Sequence, residues 1–208
     1  MSIAEPLAQV RKRTDAEVKL IAAAADLLGE VGPRAMSVRM VAERAGVNHG
    51  LVHHYFGSKE GLTRAAMLQL VEQHAADVIE RSHGNPIPLP LALNEEPRYL
   101  RAVVRAVLDG EMELATTELE AGVSIPRGAL QHVAKMRQLD EPDTQIKALA
   151  AIGMALEMGW AALEPFIFSV ADVQGKEQEQ VREIVRRVML LQKLELLASA
   201  VLRQERTR

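Results

Sequence analysis

The sequence predicts an all-α protein: an N-terminal three-helix unit containing a helix-turn-helix, followed by a larger helical bundle. Three observations predict it. Apolar residues recur at steps of three and four through most of the chain, the period that gathers them on one helical face. No segment shows the strict alternation of a half-buried strand, and no internal repeat is visible. Residues that cap helix starts, and Gly or Pro that stop them, fall at helix-length intervals.

Residues 1–10 read as a loose arm leading into the basic run Arg11-Lys12-Arg13. A first helix spans about 14–31. Thr14 and Glu17 have the spacing of a capping box, in which each side chain satisfies the other's free backbone N–H. Val18, Ile21, Ala25 and Leu28 form its apolar stripe, and Gly32-Pro33 ends it. The helix-turn-helix motif is placed at 37–56. Its first helix starts at Ser37, with Met36 and Val41 spaced for a hydrophobic staple, and stops at Gly46. Its second is short, Asn48 to Phe56, closed by Gly57-Ser58. A fourth helix runs from about Lys59 to Arg81, with Leu62, Ala65, Leu68, Val71, Ala75 and Val78 on one side. Pro86, Pro88, Pro90 and Pro97 predict a loop over 83–97. Residues 98–138 read as two or three shorter helices with Leu100, Val103 and Val107 on one stripe, and long helices follow at about 141–171 and 176–205.

The totals narrow the function. With 208 residues, 48% of them hydrophobic, the chain can build one globular unit or two small helical ones. Zero cysteines exclude disulfides, a thiolate nucleophile and a cysteine zinc site. No window reads as the ~18 uncharged apolar residues of a membrane span. The longest apolar stretch, Ala148 to Leu163, is interrupted by Glu157, and Met1 to Val10 lacks a signal-peptide core. A soluble cytoplasmic protein without membrane contact is expected. The net charge of -3 is unevenly spread: Arg11–Arg64 holds nine Lys/Arg against six Asp/Glu, the remainder 16 against 22. A basic head on an acidic body suits DNA.

A helix-turn-helix has steric requirements that can be checked. Two short helices crossing steeply need a small residue at the contact, and Ala42 is there. The turn needs a residue that tolerates a left-handed conformation, and Gly46 follows four residues on. Val41, Ala45, Val47, Val52 and Tyr55 occupy inner positions. Asn48, His49, Gly50, Leu51, His53 and His54 are left facing outward, a surface short enough for a major groove. His49 and His53, four apart, also have metal-ligand spacing. No carboxylate or cysteine lies near them in sequence, so no metal is expected. Histidines facing DNA predict tighter binding at pH 6 than at pH 8, because imidazole gains charge across that range.

The stretch SVRMVAERAGVNHGLVHHYFGSKEGL, Ser37 to Leu62, resembles the DNA-binding signature of TetR-family transcriptional regulators. Arg13-Thr14 and the Ala-rich first helix extend the likeness upstream. The resemblance implies that Ser37, Arg39 and Lys59 hold phosphates, and that His49, Gly50 and Leu51 approach base edges. It also implies that His53 and Tyr55 touch backbone or thymine methyls. Asn48 and His54 complete the polar surface, and Arg11 and Arg13 would reach the minor groove or phosphates. Leu51 and His53 depart from the Thr and Tyr frequent in relatives, so operator preference cannot be carried over.

The body has signals of its own. Ile146, Leu149, Gly153, Leu156, Trp160, Leu163, Ile167 and Val170 form one face of the penultimate helix. Ala148, Ile152, Ala155, Gly159, Ala162 and Phe166 form a second, mostly of small residues. A helix apolar on two faces packs between two partners. The last helix has a stripe of Val181, Ile184, Val188, Leu191, Leu194, Ala198 and Val201. A homodimer through helices 141–171 and 176–205 is expected, also because two-fold symmetry doubles the bases read. The bundle could enclose an effector cavity walled by Met112, Met154, Met158, Trp160, Phe166 and Phe168. The family likeness suggests a small apolar or amphipathic effector that respaces the two heads. No cofactor is expected, and no pronounced polar constellation names the effector.

These readings divide the chain into a DNA-binding unit, 1–58, and an effector-binding and dimerisation unit, 59–208. The function they favour is a ligand-responsive repressor on a palindromic operator. GxSxG, P-loop, Rossmann glycine and HExxH patterns are absent, so an enzyme is not expected and no catalytic residue is assigned. Two alternatives stay open: a helical-dimer interaction module without specific DNA binding, and an activator of the same architecture.

Overall fold

The computed structural model describes residues 13–94 and 97–198, and it is helical throughout, with no strand among them. The expectations for Arg11, Lys12 and 199–205 lie outside the described residues. Helix α1 (Asp15–Glu30) opens with both halves of the predicted capping box. The Glu17 N–H donates to Thr14 Oγ1 at 3.2 Å, and the Thr14 N–H donates to Glu17 Oε2 at 2.9 Å. Its apolar surface is wider than the predicted stripe. Leu20, Ile21, Ala24, Leu27 and Leu28 are buried, whereas Val18 is 49% exposed. The reason is that α1 is the centre of the head, enclosed on several sides. Helix α1 ends at Glu30, just ahead of Gly32-Pro33 as expected, and that pair then starts one further turn, α2 (Gly32–Ala35), since proline at a helix start forfeits no hydrogen bond.

Helices α3 (Val38–Ala45) and α4 (Gly50–Phe56) form the motif, and α5 (Lys59–Arg81) leads away from it. Within the proline-rich segment Ala92–Asn94 makes a 3-10 turn. Pro97 is the first residue of α6 (Pro97–Leu108), where its missing N–H is harmless. The stretch to 138 holds four helices rather than two or three. After α6 come α7 (Met112–Ala115), α8 (Thr117–Glu120) and α9 (Ile125–Met136), the one-turn helices being separated at Thr116. Helices α10 (Thr144–Val170) and α11 (Glu177–Ala198) complete the described residues.

One apolar core runs without a break from α1 through α3 and α4 into α5 and α6, joining Leu20, Leu28, Val41, Val52, Leu62, Leu70 and Val103. A smaller core joins Val133, Ala134, Ile146 and Leu196. Helices α10 and α11 are thinly covered by the rest of the chain. Ile152, Leu156, Leu163, Phe166 and Val170 on α10, and Ile184, Val188, Leu191 and Leu194 on α11, are exposed. Helix α10 is long and apolar enough to cross a membrane, with an 18-residue window of mean hydropathy 1.4, of which 11% is buried.

Candidate DNA interface and internal cavity

The recognition geometry is built from the turn outward. Gly46 adopts the left-handed conformation, φ 66°, and its N–H donates to the Ala42 and Glu43 carbonyls. The Val47 N–H also donates to the Ala42 carbonyl, at 3.0 Å, and Ala42 itself is buried at the crossing. Ser37 caps α3 by accepting from the Met40 N–H at 3.2 Å, which leaves its hydroxyl proton free to donate outward. Arg39 is exposed, and so is Arg13 just ahead of α1. Arg44 is turned inward along the surface: its fork meets Glu30 of α1 at 2.8 and 2.7 Å. That hydrogen bond holds the Glu30 carboxyl below its ordinary range and raises the Arg44 guanidinium.

On α4 the outward residues divide. Asn48, His49, Gly50, His53 and His54 are exposed. Asn48 Oδ1 accepts from the Gly50 N–H at 2.8 Å, so its carbonyl secures the helix start and its amide NH₂ remains available. Leu51 is half-buried against the core, not wholly outward as expected, because its apolar chain gains more from Val52's neighbours than from water. Tyr55 is also half-buried, edge-on to His54 with ring centres 4.8 Å apart. Lys59 opens α5 beside Ser58, whose Oγ accepts from the Gly61 N–H at 3.1 Å. The pattern-based reading passed over Gly61. A Cβ there would lie 2.2 Å from the Phe56 carbonyl oxygen, so only glycine lets α4 approach α5 this closely. The turn Phe56-Gly57-Ser58 ahead of a helix start was its available signal.

A cavity of about 230 Å³ lies among α5, α6, α8, α9, α10, α11 and the segment 87–93. Met154 and Met158 line it. Met112 and Phe166 do not, being exposed elsewhere on the surface. Trp160 and Phe168 stack edge-on at 5.7 Å away from it, and Phe168 lies under Arg182, 5.1 Å from its ring centre, beside a separate open cleft. The expected absence of a polar constellation is likewise corrected. His74, Tyr99, Glu118, Glu157, Gln192 and Lys193 all face this cavity. They come from five separate helices, α5, α6, α8, α10 and α11, so no local window shows them together. The one sequence trace was Glu157, an isolated acid in an apolar run. Glu157 is ion-paired with Lys193 at 2.8 Å, both side chains largely buried.

A left-handed glycine turn between two short helices, a capped second helix with a polar outer face, and a helical body with its own cavity define a helix-turn-helix regulator that binds DNA. The comparisons place it more closely. Residues 20–66 match the family described as bacterial regulatory proteins, tetR family. The chain is 29% identical over 178 residues to the HTH-type transcriptional repressor Rv3405c of Mycobacterium tuberculosis, covering 82% of this chain and 85% of that one. It is 28% identical over 174 residues to the HTH-type transcriptional regulator BetI of Escherichia coli, covering 79% and 86%. A TetR-family regulator from Streptomyces coelicolor has the same fold, with a TM-score of 0.58 at 16% identity over 92% of this chain and 89% of that one. Residues 20–66 therefore match a TetR-family DNA-binding unit, and the chain is a DNA-binding transcriptional regulator.

Proposed function

We propose that the protein is a cytoplasmic repressor that binds a palindromic operator as a homodimer and is released by a small molecule held in the cavity. The reading gives 1–58 the role of DNA-reading head and 59–208 that of effector-binding and dimerisation body. The observation that carries it is the outer face of α4, where His49, Gly50, His53 and His54 stand exposed around a capped helix start. Arg13, Ser37, Arg39 and Lys59 are assigned to phosphates, and Asn48, Leu51 and Tyr55 to the edge of the contact, with Arg11 ahead of them. The thinly covered apolar faces of α10 and α11 support the dimer. The small-residue face through Ala148, Ile152, Ala155 and Ala162 is exposed, which lets a second helix come close.

Helix α6 supplies a route between cavity and head. Tyr99, Leu100 and Val103 face the cavity. On the α1 side, Arg105 Nε donates to the Gly29 carbonyl at 3.0 Å, Asp109 accepts from the Arg34 N–H at 2.9 Å, and Arg98 reaches Asp26 at 3.5 Å. A Cβ on Gly29 would stand 3.3 Å from the Arg98 carbonyl, so the two helices are closely seated. A ligand that shifts α6 shifts α1 with it. It releases DNA only if its affinity differs between the two head spacings. An activator uses the same parts, and operator position relative to the promoter separates the two.

The test is fluorescence anisotropy against the intergenic DNA flanking the gene, with a shuffled duplex as control and salt varied from ~50 to ~200 mM. Preference for the flanking DNA by ~1,000-fold or more is the expected result. No binding to either duplex at low salt would move the chain to an interaction-module role.

A further inference from the structure

The cavity holds two carboxylates that are partnered in different ways. Glu157 is neutralised: Lys193 Nζ lies 2.8 Å from Oε1, and the Leu91 N–H donates to both oxygens at 3.2 and 3.0 Å. Lys193 also donates to the Pro88 carbonyl at 2.8 Å. This pair holds the 87–93 segment against the cavity and is occupied by that task. Glu118 is held by neutral donors. Its Oε2 accepts from the Tyr99 hydroxyl at 2.5 Å and its Oε1 from the Ser124 hydroxyl at 2.7 Å. Two hydroxyls orient a carboxylate without cancelling its charge. Tyr99 remains a donor, because burial, with the Glu118 charge behind it, raises its phenol above the ordinary range.

The rest of the cavity wall is largely apolar, with residues such as Leu100, Ile125, Pro126 and Met158, and the His74 ring stacks on Tyr99 at 4.3 Å. Resting on the reading of this cavity as the effector site, we propose that its ligand has an apolar body and one positively charged nitrogen, seated with that nitrogen on Glu118. An anionic ligand would meet Glu118 with like charge, and Lys193 is already shared between Glu157 and Pro88. A neutral apolar ligand would strip water from Glu118 and return nothing for it. At about 230 Å³ the space is smaller than the ~300–1,000 Å³ of drug-sized pockets, so the body is one ring or a short chain.

A purely structural role for Glu118 is the competing account, since Ser124 caps α9 by accepting from the Arg127 N–H. Calorimetry at pH 7 with 4-phenylbutylamine, 4-phenylbutanol and 4-phenylbutyrate separates the two, because the three share one body and differ in head charge. The amine is expected to bind about tenfold or more tighter than the alcohol, as for a hydrogen bond to a charged partner, with the butyrate weakest. In Glu118→Gln, which keeps an acceptor, the amine falls to the level of the alcohol while the alcohol is little changed. Should that variant not fold, the amine-to-alcohol ratio of the unmodified protein decides alone. Ala150→Phe fills the cavity and is expected to abolish binding of all three. Equal affinities, or amine preference surviving Glu118→Gln, overturn the charge assignment and leave the effector cavity standing. Undiminished amine binding in Ala150→Phe, or no binding of any of the three at millimolar concentration, overturns both.

Discussion

His53 shows how a single side chain on the recognition helix acquires a direction. Its Nδ1 lies 3.1 Å from the Gly57 carbonyl, which can only accept, so Nδ1 carries a proton and donates. With Nδ1 so committed, Nε2 is the ring atom left to meet DNA. His53→Phe, which keeps the ring but loses both nitrogens, is expected to weaken operator binding by about the ~0.5–1.5 kcal/mol of one hydrogen bond. Unchanged affinity in anisotropy titrations would remove His53 from the interface. Gly61 makes the second argument at this scale. Placing a methyl 2.2 Å from the Phe56 carbonyl forces α4 and α5 apart. Gly61→Ala is expected to cost ~1–3 kcal/mol, typical of overpacking. It should weaken operator binding beyond that loss, since α4 is the displaced element. A thermal melt unchanged from the parent protein would show that the approach is looser than described.

At the scale of elements, the head was readable and the cavity was not, for one physical reason. Capping boxes, N-caps and glycine stops act within a few residues of one another, so Thr14 with Glu17, Ser37 at its helix start, and Gly46 at its turn were visible in sequence. The cavity wall joins residues on separate helices. Glu157 could be noticed as an odd charge, but Lys193 lies 36 positions away on a different helix. Met112, Trp160, Phe166 and Phe168 were plausible wall residues by type, and packing sent them elsewhere. The 87–93 segment illustrates what the pair contributes. Leu91 is buried with φ 63°, a conformation that a leucine keeps only when its surroundings hold it. Lys193→Met removes the cation and strands the Glu157 charge, which costs ~3–5 kcal/mol when such a pair is buried. That corresponds to a fall in Tm on the order of 10 °C for a chain of this size. Adding Glu157→Gln to the same variant should recover most of it. A single variant that melts within about 1 °C of the parent, against this ~3–5 kcal/mol expectation, would mean that water already reaches the pair.

At the scale of the whole molecule, the unpaired apolar surface and the short recognition helix demand the same partner. One α4 reads few bases, and the exposed Leu191 and Phe166, 66% and 65% accessible, lie on helices that the rest of the chain covers only thinly. Burying a leucine or phenylalanine of this kind is worth ~1.5–3 kcal/mol, and several such residues on α10 and α11 suffice to offset the entropy of association. Light scattering at micromolar concentration should give twice the 22.9 kDa of the chain. Leu191→Glu places a charge in the middle of this surface and should return the mass to that of one chain without lowering helix content. The consequence for DNA follows from symmetry. A single head makes half the phosphate contacts, so the slope of log affinity against log salt should fall by about half, and preference for the operator over a shuffled duplex should largely disappear. A Leu191→Glu protein that stays dimeric would place the interface elsewhere. One that becomes monomeric yet keeps the full salt slope would instead mean that the second head contributes no contacts, and the two-fold reading of the operator would have to be abandoned.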